Sequence, residues 1–179
     1  MPPSAAGHSV LQVPVPELEP FVLARTRHYD TDYVSADPRF VHAHITALGP
    51  FLDAAALTDE ALGVVGAIAA STAPFEYTLE QVGTFPNGIV HLLPEPSRPF
   101  AALTATLWRA FRHCPPYAGA FGDVFPHLTL DALSGDVTQD STRASLGAVL
   151  PARCSADQLD LAWYEPGACR VLHSWRLGA

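Results

Sequence analysis

Positive charge is scarce in this chain. Lys and Arg together number ten against eighteen Asp plus Glu, for a formal net charge of −8 over 179 residues. Long nucleic acids are held largely by cations that neutralise phosphates, so a long duplex is not an expected ligand. The densest basic pair of the N-terminal half, Arg25 and Arg27, is too small to form a patch. A nucleotide or the end of an RNA strand needs only a small local site and stays open. No apolar run approaches the roughly 20 residues needed to cross a bilayer, so no membrane partner is expected. The start "MPPSAAGHSV" lacks the basic segment and apolar stretch of a signal peptide. Three cysteines, Cys114, Cys154 and Cys169, without CxxC spacing, suit reduced thiols better than a disulfide framework. These absences together lead to an expectation of a cytoplasmic protein.

What is present is a globular composition, 49% hydrophobic and 16% charged, in a length that suits one domain over residues 1–179 made of two lobes. "SVLQVPVP" reads as a strand, "ELEPFVLARTRHY" as a helix and "FVHAHITALGPF" as a strand after a polar loop. "LTDEALGVVGAIAAS" is a helix with Thr58 at its N-cap, and "FEYTLEQVGTF" with "GIVHLLP" forms a hairpin about "PNG". "SRPFAALTATLWRAFRHC" is a helix opened by Ser97, with Pro99 in its first turn. The loop "PPYAGAFGDVFP" leads to the strand "HLTL". A weaker helix, "QDSTRASLGAVL", precedes the strands "ADQLDLAWY" and "CRVLHSWRL". Trp108, Trp163 and Trp175 are expected in the core.

Two parts of this order are the same thing twice. Pro14/Pro94, Phe21/Phe100 and His44/His127 are 80, 79 and 83 residues apart. A strand, a Pro-x-Pro, a Pro-Phe that opens a helix, a loop and a His-x-Thr strand recur in the same sequence. Each is followed by a helix and a hairpin. Such a repeat implies duplication, with two similar lobes facing each other about a pseudo-twofold axis.

The triplets His44-x-Thr46 and His127-x-Thr129 carry the chemistry. None of the other six histidines has a threonine two residues on. Strand alternation sets His42, His44 and Thr46 on one face and Val41, Ala43 and Ile45 on the other. An imidazole exchanges protons near neutral pH, and a hydroxyl donates to an anionic oxygen. Two such pairs related by a twofold axis would clamp one phosphate. The threonines would hold its non-bridging oxygens, one histidine would take a proton from the attacking group, and the other would protonate the leaving oxygen. His42 is expected at the cleft rim rather than in catalysis. Tyr117 either lines the cleft or anchors its loop, and His91 is expected to be a structural histidine.

"AHITALGPF" and "FPHLTL", with "PVPELEPF" and "PPYAGAF", resemble the 2H phosphoesterase superfamily, in particular bacterial 2′-5′ RNA ligase-like (LigT-like) proteins. The resemblance runs from about residue 9 to the end. It implies an α+β, bilobal duplicated fold of pseudo-twofold symmetry, with two antiparallel sheets facing a central cleft and helices on the outside. It also implies metal-independent chemistry, without a cofactor, on 2′,3′-cyclic phosphates or 2′-5′ linkages of a nucleotide or RNA end. His44 and His127 match the catalytic positions, Thr46 and Thr129 the phosphate-binding ones. The resemblance further implies His127 as base and His44 as acid in cyclic-phosphate opening, and a monomer is expected. Two departures are His42, where proline is common, and Gly49, where an aromatic is common before "PF".

Three rival readings stay open at this stage. "HAHITAL" differs from a histidine-triad nucleotide hydrolase signature in carrying Thr46 at the third histidine. A metal site could use His42, His44 and a distant histidine, although no HExxH or following carboxylate supports it. A non-catalytic nucleotide- or phosphate-binding module would use the same four residues.

Overall fold

The computed structural model describes residues 7–120 and 123–179. Most of the segment read for a targeting signal, and residues 121–122 of the "PPYAGAFGDVFP" loop, lie outside the described residues. In chain order the elements are β1 (His8–Pro14), α1 (Glu19–Tyr29), β2 (His44–Leu48), α2 (Asp59–Ser71), β3 (Phe75–Thr84) and β4 (Ile89–Glu95). Then follow α3 (Arg98–Ala110), β5 (Leu128–Ala132), α4 (Gln139–Leu146), β6 (Ala152–Ala156), β7 (Gln158–Tyr164) and β8 (Arg170–Arg176). No helix among the described residues is long and apolar enough to cross a membrane.

The strands run antiparallel in the order β6-β3-β4-β5-β2-β1-β7-β8. They form one eight-stranded sheet whose four-stranded halves, β6-β3-β4-β5 and β2-β1-β7-β8, meet where β5 lies beside β2. That seam holds a single paired position, Ile45 opposite Leu128. The duplication is visible as β1-α1-β2-α2 and β4-α3-β5-α4, but of the strands after the units only β6 stays with its own half. β3 joins the half of the second unit and β7–β8 that of the first, so membership does not follow sequence order. The helices cross too, since α3 packs on β2 and α1 on β5.

Alternation fixes which side of the seam meets the core. Ile45, Ala47, Leu128 and Leu130 are buried beneath it with Phe100, Leu103 and Leu107 of α3. Each large apolar side chain removed from water there contributes roughly 1.5–3 kcal/mol. The Thr104 hydroxyl donates to the Ala47 carbonyl at 2.7 Å and pins α3 to β2. A one-residue slip would exchange the polar and apolar faces, so burial of these four residues holds the register.

Local signals account for most boundaries. The Thr58 hydroxyl accepts from the Ala61 N–H and caps α2. The "PNG" turn closes through the Gly88 N–H on the Phe85 carbonyl, with Gly88 at φ +88° where glycine is favoured. Ser97 precedes α3 as expected, but its side chain makes no capping bond, and the Ala101 N–H uses its carbonyl instead. β6 adds a strand that "ARCSA" did not announce, because its buried positions are only Ala and Cys. Trp163 is buried and Trp175 packs against the core, but Trp108 is 39% exposed.

The first motif strand starts later than alternation suggests. His44 opens β2, and residues 41–43 lie outside it because their main-chain groups are used elsewhere. The Ala43 N–H donates to Glu19 Oε2 at 2.8 Å, and its carbonyl accepts from the Val15 N–H at 2.8 Å. His127 likewise sits one residue before β5, after Pro126, which has no N–H to give a ladder.

Candidate active site

Because β2 and β5 are antiparallel and Ile45 faces Leu128, His44 lies opposite Thr129 and Thr46 opposite His127. The four motif side chains therefore share one face of the seam, on adjacent strands, with each histidine diagonal to the other. The two motif strands lie side by side where the halves of the sheet meet, flanked by cavities. One, of about 550 Å³, is lined by Phe85, Asn87, Tyr117, Phe125, His127 and Thr129. A second, also about 550 Å³, has Arg25, Tyr29, His44, Thr129 and Tyr164 in its lining. A third, of about 260 Å³, reaches His8, His44, Thr46, Tyr117 and Tyr164. Each is in or near the size range of a small-molecule subsite.

The two imidazoles are held alike. His44 Nδ1 lies 2.8 Å from the His42 carbonyl, and His127 Nδ1 lies 2.8 Å from the Phe125 carbonyl. A carbonyl only accepts, so both rings carry hydrogen on Nδ1 and keep Nε2 for a substrate. Burial holds both below the ordinary histidine range. For His44 the charge of His127 adds to the lowering, while the His42 carbonyl and the Glu19 charge oppose it. For His127 the Phe125 carbonyl is the opposing influence.

The secondary candidates separate. His42 lines the second cavity, but both its nitrogens are engaged. Its Nδ1–H donates to Glu19 Oε1 at 2.7 Å, and its Nε2 accepts from the Ser35 N–H at 3.1 Å. It precedes β2 rather than belonging to its alternation, and that hydrogen bond ties it to the first residue of α1. Tyr117 does both things considered for it. Its ring lies parallel to His127 at 6.0 Å, and its N–H donates to the Gly49 carbonyl at 2.7 Å. His91 is buried at 4% exposure, with Nδ1 3.3 Å from the Ile89 carbonyl and burial lowering its pKa. It nevertheless faces Thr129 across the strands and meets the His127 ring edge-on at 6.0 Å.

Four further residues were not singled out from sequence. The Tyr164 ring lies 6.0 Å from His44, and its hydroxyl donates to Gln12 Oε1 at 2.6 Å. Phe85 meets His127 edge-on at 4.9 Å and stacks on His91 at 3.7 Å. Gln12 could have been found, as a polar residue between Leu11 and Val13 in an apolar stretch of β1, where it is fully buried. Glu19 had no signal beyond an acidic residue in a first helical turn, and Tyr164 and Phe85 had none. Among the described residues, no three His, Cys, Asp or Glu side chains are gathered as metal ligands. The metal site considered for His42 and His44 is not assembled, since hydrogen bonds occupy the donor atoms of His42.

The model of the 2′-5′ RNA ligase superfamily matches residues 14–168. No curated protein matches the chain in sequence. Among solved structures, E. coli LigT in complex with 3′-AMP is similar at TM-score 0.59 and 16% identity, covering 96% of this chain and 98% of that one. TT0787 of Thermus thermophilus is similar at TM-score 0.63 and 20% identity, covering 96% and 98%. E. coli LigT in complex with ATP is similar at TM-score 0.54 and 17% identity, again over 96% and 98%. At these identities the structural likeness speaks for the fold.

Proposed function

The chain belongs to the 2′-5′ RNA ligase superfamily, and from that membership we propose that it is a phosphoesterase. Its substrate is a 2′,3′-cyclic phosphate or a 2′-5′ phosphodiester of a nucleotide or RNA end, and it works by two-histidine general acid–base catalysis. The histidine-triad reading gives way, because the matching family spans both His-x-Thr motifs. The observation that carries the proposal is the like support of His44 and His127, each with Nδ1–H on a main-chain carbonyl and Nε2 left for proton exchange. That E. coli LigT binds 3′-AMP and ATP agrees with a nucleotide substrate.

In the cyclic-phosphate reaction, water attacks phosphorus and His127 Nε2 takes its proton. The bond from phosphorus to one ribose oxygen breaks as His44 Nε2–H protonates that oxygen, giving a phosphomonoester and a free hydroxyl. His127 ends protonated and His44 neutral, and exchange with solvent resets both. The Thr46 and Thr129 hydroxyls donate to the non-bridging oxygens, whose charge grows in the transition state. Burial keeps a protonated His44 scarce in the free protein, and the arriving phosphate anion favours it. The chain's own groups account for each proton, so turnover is expected to persist in EDTA.

The test is a screen of the purified protein against the four 2′,3′-cyclic nucleotides and 2′-5′-linked dinucleotides, with EDTA present. Turnover of at least one is expected. Binding without turnover would make the cleft a non-catalytic module. Activity lost in EDTA and restored by one metal alone would make the protein a metalloenzyme.

A further inference from the structure

His44 and His127 are equivalent in the motif but differ in what stands behind them. The His42 carbonyl that accepts from His44 Nδ1–H belongs to the peptide group whose N–H, on Ala43, donates to Glu19 Oε2 at 2.8 Å. The other Glu19 oxygen accepts from His42 Nδ1–H, and the Ser35 N–H on His42 Nε2 fixes that tautomer. A continuous line therefore runs from a carboxylate, through one planar peptide group, to the imidazole. Amide resonance couples the two ends of a peptide, so a negative charge on the N–H leaves more negative charge on the oxygen. That oxygen is then the better acceptor for a positively charged ring. Behind His127 no such line can form. Its acceptor is the Phe125 carbonyl, and the nitrogen of that peptide belongs to Pro126, which carries no hydrogen.

We propose that Glu19 is a positioning residue that, through the peptide joining residues 42 and 43, stabilises the His44 imidazolium and so makes His44 the proton donor of the pair. Its catalytic meaning rests on the phosphoesterase reading above. Its physical content does not.

The other groups that face His44 do not supply this. His42 is tied to Glu19, His127 is a second base across the seam, and the Tyr164 hydroxyl, whose hydrogen goes to Gln12, offers His44 Nδ1 only a neutral oxygen at 3.4 Å. In the adjoining cavities lie His8, Tyr117, Asp30 and the Arg25–Asp131 ion pair, whose Nε and Oδ2 are 2.6 Å apart. Glu19 is the carboxylate hydrogen-bonded into the ring's own support. Its charge acts against the burial that otherwise disfavours the protonated ring.

Glu19→Gln tests the idea, because the amide oxygen can still accept from the Ala43 N–H while the charge is gone. Ring NMR titration of the free protein reads each histidine without any substrate. The His44 protonation constant should fall on the order of tenfold, with His127 unchanged. Glu19→Asp, which keeps the charge, should leave His44 nearer the wild-type value than Gln does. On a substrate with a poor leaving oxygen, Glu19→Gln should lose about tenfold in kcat, while a leaving group that needs no proton should be spared. An unmoved His44, equal movement of both histidines, or the reverse order of the Asp and Gln variants overturns the proposal. A wild-type measurement guards against misfolding of the variants. As His44 is protonated, the Ala43 amide on the shared peptide should shift with the ring, and an Ala43 amide blind to it also overturns the proposal. If the NMR coupling holds and no phosphodiester is turned over, the functional reading fails and the coupling stands. If turnover is found without the coupling, the failure is that of Glu19.

Discussion

Around His127 the supports are aromatic. Phe85 lies edge-on at 4.9 Å, Tyr117 is parallel at 6.0 Å, and His91 stacks behind Phe85 at 3.7 Å. Around His44 they are hydrogen-bonded, through Glu19, His42 and the Tyr164–Gln12 pair. The two surroundings occupy matching places in the duplicated frame. Gln12 faces Thr46 from β1 and His91 faces Thr129 from β4, and each comes just after an irregularity in its ladder. Bulges beside a site re-aim side chains, and here the two bulges aim an amide and an imidazole at equivalent points. Duplication supplies two of every group, whereas a proton relay needs one donor and one acceptor. The inequality sits outside the triplets, in the residues that hold them.

The strongest way to break this comparison is to remove either ring. His44→Ala and His127→Ala should each cost at least about 10²-fold in kcat, with the double variant losing far less than the product of the two. A substrate with an activated leaving group should rescue His44→Ala and not His127→Ala. Rescue of the other variant would reverse the roles, and two unimpaired variants would end the two-histidine mechanism.

Next in size are the hydroxyls. Thr46→Ala and Thr129→Ala should each cost about tenfold in kcat, the scale of one hydrogen bond to a charged oxygen. Steady-state kinetics on the same substrate would show whether the two halves hold the phosphate equally.

A Cβ added at Gly83 would sit 2.9 Å from His91 Nε2, and the stack on Phe85 leaves that ring little room. Gly83→Ala should therefore cost about 1–3 kcal/mol in denaturant unfolding. A few-fold loss in kcat should reach His127 through Phe85, while the His44 titration stays in place. A displaced His44 titration would show that the halves are not independent.

The smallest effect is in pH. His44, His91 and His127 are all lowered by burial, so each binds fewer protons folded than unfolded between its two pKa values. Their contribution to stability is complete above the ordinary value of about 6.5 and is lost as pH falls through it toward the folded values. Tm should drop over that window, and His91→Gln should flatten the drop without abolishing it. The kcat/KM profile should be bell-shaped with its maximum on the acid side of 6.5, below the neutral optimum that unperturbed histidines would give.

The repeat, both triplets and most elements were legible because they rest on local signals such as Pro-Phe starts, the Thr58 cap, the "PNG" turn and alternation. What was not legible depends on contacts between distant segments. Nothing near residue 42 says that its ring will meet Glu19 of another element. Nothing in "QLDLAWY" says that Tyr164 will end beside His44, 120 residues earlier. The pairing of β2 with β5, which joins the two halves, is likewise a property of the assembled eight-stranded sheet.

The crossed strand order also bears on how the chain acquires its shape during synthesis. Every strand of the β6-β3-β4-β5 half lies between residues 75 and 156, so that half is fully translated before the C-terminal hairpin emerges. The β2-β1-β7-β8 half is different, because His8 pairs with Tyr164 and Gln12 with Asp160. Its first two strands must wait, with β1 unpaired along one edge, until β7 has been synthesised. Closing such a long loop is slow, and an open apolar edge is a place for wrong partners. The half that holds His44 is thus the last to be completed and the one most exposed to misassembly.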